Sequence, residues 1–368
     1  MSWVDEWACQ PSRIDQIGGT ITDSSDSKTT PALGGSPAIL AEGLKKAFGK
    51  IKALDGIDVT VQAGTIMAML GPNGAGKTTF VRILATLMRP DAGRAEVAGH
   101  DVIREAATVR SLIGLTGQYA AVDDNLTGRE NLEMVGRLYH IGGGQARLRA
   151  SELLERFELT DAGDRRVRTY SGGMRRRLDL AASLVARPPV LFLDEPTSGL
   201  DPRSRMALWD IINSLVKEGT TVLLTTQYLE EADRLADYIA VIDHGHIIEA
   251  GTSKYLKECC GGDVLVQLRL SDRTQTASAG EVLSTFGDGK LQVDEKTGQI
   301  SLPVVDGTAI LPELVRRLDT RGITLYDVTL RPPTLDDVFM ALTGRTVEEA
   351  GTEGTSPGVH QHGRGRKR

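Results

Sequence analysis

Gly71-Pro72-Asn73-Gly74-Ala75-Gly76-Lys77-Thr78 fits the pattern G-x-x-x-x-G-K-[ST]. It follows the apolar run Ile66–Leu70 and opens a helical pattern over Thr78–Met88. That strand–turn–helix setting is the one in which such a loop grips phosphate. Glycines let successive backbone N–H groups turn inward around phosphate oxygens, and the helix N-terminus adds its dipole. Lys77 then reaches the β- and γ-phosphates. The Thr78 hydroxyl is placed to hold Mg²⁺, with Thr79 beside it in the first helical turn. A second group lies in Leu191-Phe192-Leu193-Asp194-Glu195. An apolar strand delivers Asp194 to the metal, acting through its water shell, and Glu195 follows where it can polarise an attacking water. Alone, an Asp-Glu pair at a strand end is a solvated turn. Together with the phosphate loop it points to phosphoryl transfer to water, in which positioning and electrostatics supply most of the catalysis.

Between these groups, Tyr170-Ser171-Gly172-Gly173-Met174 again sets glycines before a long helix, which makes a second anion site. One chain does not need two such sites for one γ-phosphate. A dimer accounts for both: Ser171, Gly172 and Gly173 of one protomer cap the nucleotide held by Lys77 of the other.

The elements that position these residues are legible as patterns. Ile66–Leu70, Val190–Asp194 and Thr221–Thr225 are continuous apolar runs, suited to a parallel sheet covered on both faces. From about 120 to 187 the pattern is mostly helical, through ENLEMVGRLYHI, RLRASELLERFEL and MRRRLDLAASLVA, and predicts a helical insertion. After Gly261-Gly262 the texture changes. Val264–Leu270, 290–294, 299–304 and Ile323–Leu330 read as strands, the middle pair joined by Lys296-Thr297-Gly298. Segments 277–286, Leu311–Thr320 and Leu335–Leu342 read as helices. The order β-α-β-β-α-β predicts a small ferredoxin-like α+β domain. The expected organisation is a flexible extension over 1–36, an α/β domain over 37–262, the α+β domain over 263–345, and a disordered tail with a basic end over 346–368.

Composition narrows the function. The chain of 368 residues is 40% hydrophobic and 25% charged, ordinary for a soluble globular protein. Its net charge of −6 argues against nucleic acid as a partner. No apolar run approaches the ~18–20 residues that cross a bilayer. The opening MSWVDEWACQ contains acids and no apolar core, unlike a secretory signal. Cys9, Cys259 and Cys260 have no metal-ligand spacing and read as reduced thiols of a cytosolic chain.

With phosphate loop, SGG, LFLDEP and the turn Ser198–Asp201 (SGLD) in this order, residues 38–255 resemble the ATP-binding cassette (ABC) ATPases. The resemblance implies a P-loop NTPase fold and two copies closing on two nucleotides. It makes Phe48 the aromatic on which adenine stacks, against the alternative of a core Phe. Gln118 becomes a ligand of Mg²⁺ that links the core to the helical subdomain, and Asp201 a residue that orders the dimer seam. Because stacking tolerates either purine, the nucleotide is ATP, with GTP as an alternative. Tyr170 stands where the family usually has Leu, and Met174 where it has Gln; neither change removes the serine hydroxyl or the glycine amides. Arg175-Arg176-Arg177 is either a source of positive potential or a solvated helix face.

Gln227, after the apolar strand of 221–225, stands where most of the family places a histidine at the γ-phosphate. An amide can donate and accept there without titrating. TTQYLEEADRLAD, together with Pro333-Thr334-Leu335-Asp336-Asp337-Val338-Phe339, is similar to the daunorubicin-resistance group of drug and lipid exporters. That similarity implies a separate polytopic membrane permease, a place on the cytoplasmic face of the membrane, and a C-terminal domain that regulates or stabilises assembly. A soluble ABC ATPase acting on ribosome or DNA usually carries paired cassettes or long heptads, which this chain lacks. An importer ATPase is opposed only by Gln227 and the C-terminal resemblance.

Overall fold

The computed structural model describes residues 36–117, 122–259, 264–287, 291–294, 299–304 and 307–344. The expected terminal extensions (residue 36 apart), Gln118, Gly261-Gly262 and the 296–298 turn lie outside these residues. The described chain divides into two units, meeting in sequence at Ser253.

The first unit is built on two sheets. Strands β1 (Ile39–Phe48) and β2 (Ile51–Val61) form a hairpin; β3 (Ile66–Leu70) leads into helix α1 (Lys77–Leu84). Then come β4 (Ala92–Val97), β5 (His100–Asp101), α2 (Ala106–Leu112) and β6 (Ile113–Thr116). Helices α3 (Gly128–Leu138), α4 (Gly143–Arg156) and α5 (Gly172–Ser183) follow, before β7 (Val190–Asp194) returns the chain to the core. The unit closes with α6 (Pro202–Lys217), β8 (Thr221–Thr226), α7 (Leu229–Leu235), β9 (Tyr238–Asp243) and β10 (His246–Gly251).

The central sheet has the order β10-β9-β3-β8-β7-β6, and all its pairs are parallel except β10 with β9. Every residue of β3, β7 and β8 is buried, as expected of parallel strands covered on both faces. The antiparallel sheet β2-β1-β4-β5 lies outside the sequence reading. Its strands are irregular: the β1–β2 register shifts between Ala41 and Leu44, around Gly43 at φ 58°, so the period-two alternation is broken. The core of the unit joins β1, β2 and β4 to α1 and the central strands through Leu44, Ile57, Val97, Phe80, Ile83, Phe192 and Leu223. Helix α1 stops four residues short of the expected Met88, because Thr86 takes a left-handed φ of 62° and turns the chain.

The second unit contains α8 (Ser253–Cys259), β11 (Val264–Leu270), α9 (Thr276–Leu283), β12 (Gln292–Asp294), β13 (Gln299–Val304), α10 (Gly307–Thr320), β14 (Leu325–Arg331) and α11 (Leu335–Thr343). Its sheet is antiparallel in the order β12-β13-β11-β14, the arrangement of a ferredoxin-like β-α-β-β-α-β chain. Alternate residues of the central strands face the helices: Val266, Leu268, Ile300 and Leu302 share a buried core with Val282, Leu283, Leu314 and Leu318. By contacts the unit begins at Ser253, ten residues before the expected 263, because α8 packs with α11.

Candidate functional site

Pairing register brings the motif residues to one edge. Leu70 pairs with Thr226, and Asp194 with Thr225, so the phosphate loop, Glu195 and Gln227 all leave the carboxyl ends of adjacent strands. In open α/β sheets this is the edge where ligands bind.

The loop is shaped to leave its backbone bare. A Cβ at Gly71 would collide with the Ile242 carbonyl, and one at Gly76, where φ is 112°, with the Ala53 carbonyl. Gly71, Pro72, Asn73, Gly74, Ala75 and Gly76 run from β3 to the N-cap of α1, whose first residues are Lys77, Thr78 and Thr79. The cradle fits a polyphosphate: glycine backbone at a helix N-terminus, with one buried cation inside it. Lys77 donates to the carbonyls of Gly71 at 2.8 Å and Pro72 at 3.0 Å, and its Nζ lies 3.5 Å from Glu195 Oε1. Burial pushes the Lys77 ammonium below its ordinary range, opposed by the carboxylates of Glu195 and Asp194.

Asp194 is buried, and its Oδ1 accepts the Thr78 hydroxyl at 3.1 Å and the Thr225 hydroxyl at 2.6 Å. The Asp194 carboxylate and Thr78 hydroxyl suit Mg²⁺, a hard cation that takes few protein ligands and fills its shell with phosphate and water oxygens. Glu195 sits at a left-handed φ of 50°, and its amide donates to the carbonyl and the hydroxyl of Thr225, each at 3.1 Å. Thr225 is therefore a joint between Asp194 and Glu195. The next residue, Thr226, accepts the Tyr228 amide at 2.9 Å and turns the chain, which leaves Gln227 half-buried at the tip.

The SGG segment forms the N-terminus of α5. Ser171 caps the helix by accepting the Met174 amide at 3.2 Å and is itself exposed, beside Gly172. Gly173 packs on Ser204, since a Cβ there would lie 2.8 Å from its Oγ. Ser204 in turn donates to Asp201, which caps α6 by accepting the Ser204 amide at 3.0 Å. The hydroxyl and amide of Ser204 hold the Asp201 carboxyl below the usual carboxylate range. Tyr170 is buried and donates to the Ala162 carbonyl at 2.6 Å; Gly128 makes room, since any Cβ there would strike the phenol oxygen. Tyr in place of Leu is thus matched by a glycine in α3. Phe48 ends β1 at the hairpin tip, 48% exposed, with the Lys46 ammonium 5.9 Å from its ring centre. It is not a core residue. Gln118 is outside the described residues.

Sequence reasoning missed two buried groups behind the edge. Arg176, which the sequence offered only as positive potential or solvated face, is buried in the core of the unit. Glu231 is fully buried and accepts the Trp209 indole N–H at 3.1 Å. Burial pushes its carboxyl above the ordinary range, opposed by the nearby Thr226 hydroxyl, the Trp209 indole N–H and the nearby Thr197 hydroxyl. No local pattern marks either residue, because the carbonyls that hold Arg176 and the Trp209 indole that holds Glu231 are distant in sequence.

A phosphate loop, a strand-end Asp-Glu pair and an SGG helix arranged on this α/β core define an ATP-binding-cassette ATPase. Residues 54–198 match the ABC transporter family. The chain is 56% identical over 311 residues to the daunorubicin resistance ATP-binding protein DrrA2 of Streptomyces coeruleorubidus, covering 84% of this chain and 96% of that one. It is 52% identical over 320 residues to the daunorubicin/doxorubicin resistance ATP-binding protein DrrA of Streptomyces peucetius, covering 86% and 95%. Among solved structures, an ATP-binding subunit of an ABC transporter superposes with a TM-score of 0.55 at 25% identity, over 60% of this chain and 92% of that one. The chain belongs to the ABC-transporter ATP-binding subunits, in the group of daunorubicin- and doxorubicin-resistance proteins, and hydrolyses ATP to drive transport.

Proposed function

We propose that this chain powers an exporter that removes a hydrophobic drug or lipid through a separate polytopic permease. It works from the cytoplasmic face as two copies that close on two nucleotides. The observation that carries the catalytic part is the convergence of Lys77, Thr78, Asp194 and Glu195 on one sheet edge. Efflux is supported by the resistance proteins to which the chain is similar. No helix among the described residues is long and apolar enough to cross a membrane, which agrees with a permease on another chain.

In this reading Lys77 and the loop amides hold the β- and γ-phosphates, and Phe48 stacks on the base. Thr78, Asp194 and Gln118 hold Mg²⁺, which neutralises phosphate charge when bound. Glu195 polarises the attacking water, and Gln227 donates to the γ-phosphate. Ser171, Gly172 and Gly173 reach the nucleotide on the other copy, and Asp201 orders the seam between them. The second unit, which holds none of these residues, serves assembly with the permease.

The test is transport. The full chain is expressed with the membrane protein of the neighbouring reading frame, and inverted vesicles are assayed for ATP-dependent uptake of daunorubicin. Uptake that is lost with Glu195→Gln supports the reading. A membrane protein that binds the chain but shows ATP-driven movement only in the opposite direction refutes export.

A further inference from the structure

Three consecutive arginines on α5 have three different surroundings. Arg175 pairs with Asp124 at 2.9 Å, and Arg177 donates to the Phe157 carbonyl at 3.0 Å. Arg176 turns inward. Its Nε donates to the Pro196 carbonyl at 2.7 Å, Nη1 to Gly117 at 2.5 Å, and Nη2 to Asp194 at 3.1 Å and Glu195 at 3.0 Å. The Asp179 carboxylate, 3.6 Å from Nη1, balances the charge. Only a guanidinium has a planar fork of donors wide enough to hold four carbonyls at once.

The choice of carbonyls is what points to function. Three belong to consecutive residues at the end of β7, including those that carry both carboxylates of the site, and the fourth to the residue before Gln118. Glu195 is held in a left-handed conformation that L-residues disfavour, so its aim depends on what fixes its backbone. Thr225 fixes the amide of Glu195, and Arg176 its carbonyl. Arg176 also stands five residues after Ser171, on the helix that Ser171 caps.

We propose that Arg176 is a positioning residue that ties the SGG helix to the backbone aiming Glu195. Seating Ser171 on the nucleotide held by the other copy then sets Glu195 over the nucleotide in its own chain. Each copy thereby relays occupancy of one site to hydrolysis at the other. This rests on the two-copy reading above.

The test is a double-mutant cycle on the full chain with its membrane partner: Ser171→Ala, Arg176→Met and both together. Turnover at saturating ATP and Mg²⁺, equilibrium ATP binding and melting temperature are measured for each. Arg176→Met should lower kcat by roughly a hundredfold, the cost of misplacing a reacting group by about an ångström. ATP affinity should stay within about threefold, because the phosphate loop is untouched. The double variant should turn over within about threefold of the slower single variant, because both changes break the same link. Effects on kcat that multiply would overturn the proposal while leaving the two-copy reading intact. A Ser171→Ala variant with parental kcat would overturn that reading and the proposal with it. Should Arg176→Met fail to fold, Arg176→Lys carries the same cycle: it keeps the charge but reaches fewer carbonyls, so the loss is smaller and the coupling persists.

Discussion

Replacing Thr225 by Val tests whether one buried hydroxyl organises both carboxylates of the site. The side chain is fully buried, and Val copies its shape without the oxygen. The hydroxyl donates to Asp194 Oδ1 at 2.6 Å and accepts the Glu195 amide at 3.1 Å. The first bond is to a charged group and is worth about 1.5–3 kcal/mol. The second adds less, because the same amide also reaches the Thr225 carbonyl at 3.1 Å and is not orphaned. Asp194 keeps the Thr78 hydroxyl at 3.1 Å. The expected loss of stability is therefore about 2 kcal/mol. Turnover should fall by roughly ten- to a hundredfold as Asp194 and Glu195 lose their common anchor. Thr225→Ser is the control: it keeps the hydroxyl and removes one buried methyl, at about 1 kcal/mol. Urea unfolding and single-turnover hydrolysis at saturating ATP and Mg²⁺ read the two effects separately. If Thr225→Val hydrolyses ATP as fast as Thr225→Ser, the hydroxyl does not organise the site and the reasoning fails.

Gln227 and Glu231, near the same edge, carry further expectations. Gln227→Ala should slow hydrolysis by roughly ten- to a thousandfold, the range for losing one transition-state donor, with little change in ATP affinity. Gln227→His should stay active and gain a pH dependence between about 6 and 7.5 that the parent lacks, seen in steady-state rates across pH. Glu231→Gln should make the protein more stable relative to the parent as pH rises. The parent carboxyl is raised by burial from its ordinary 4.5, so between the unfolded and folded values the folded chain holds a proton that the unfolded chain has released. That contribution is complete below the unfolded value and is lost as pH climbs through the folded one. Within this window the gap should widen by about 1.4 kcal/mol per pH unit, measured by denaturant titration at several pH values. Equal pH profiles would mean that Glu231 is not held protonated.

What was legible in the sequence was contiguous. The loop from Gly71 to Thr78, the run ending in Asp194-Glu195 and the SGG segment each carry their chemistry within a few residues. The strands at 66–70 and 190–194 are uninterrupted apolar runs. What escaped depended on chain distant in sequence. Arg176 sits in a charged run that reads as a solvated face, and only the approach of β7 and Gly117 makes it a core residue. Thr225 reads as the polar end of a strand; its register with Asp194 gives it a role. Tyr170 is accommodated by Gly128, on a different helix. The β1–β2–β4 sheet was missed because its bulges erase the alternation that would have marked it.

The central claim is that two copies close on two nucleotides and that Glu195 opens them again by hydrolysis. It is tested most directly with the Glu195→Gln chain, sized in solution with ATP and Mg²⁺ and with its bound nucleotide counted. An amide keeps the shape of the carboxylate but does not polarise water, so the account predicts a stable dimer holding two intact ATP molecules, which the parent forms only transiently. A variant that stays monomeric with bound ATP, or that hydrolyses ATP at near the parental rate, would contradict the account.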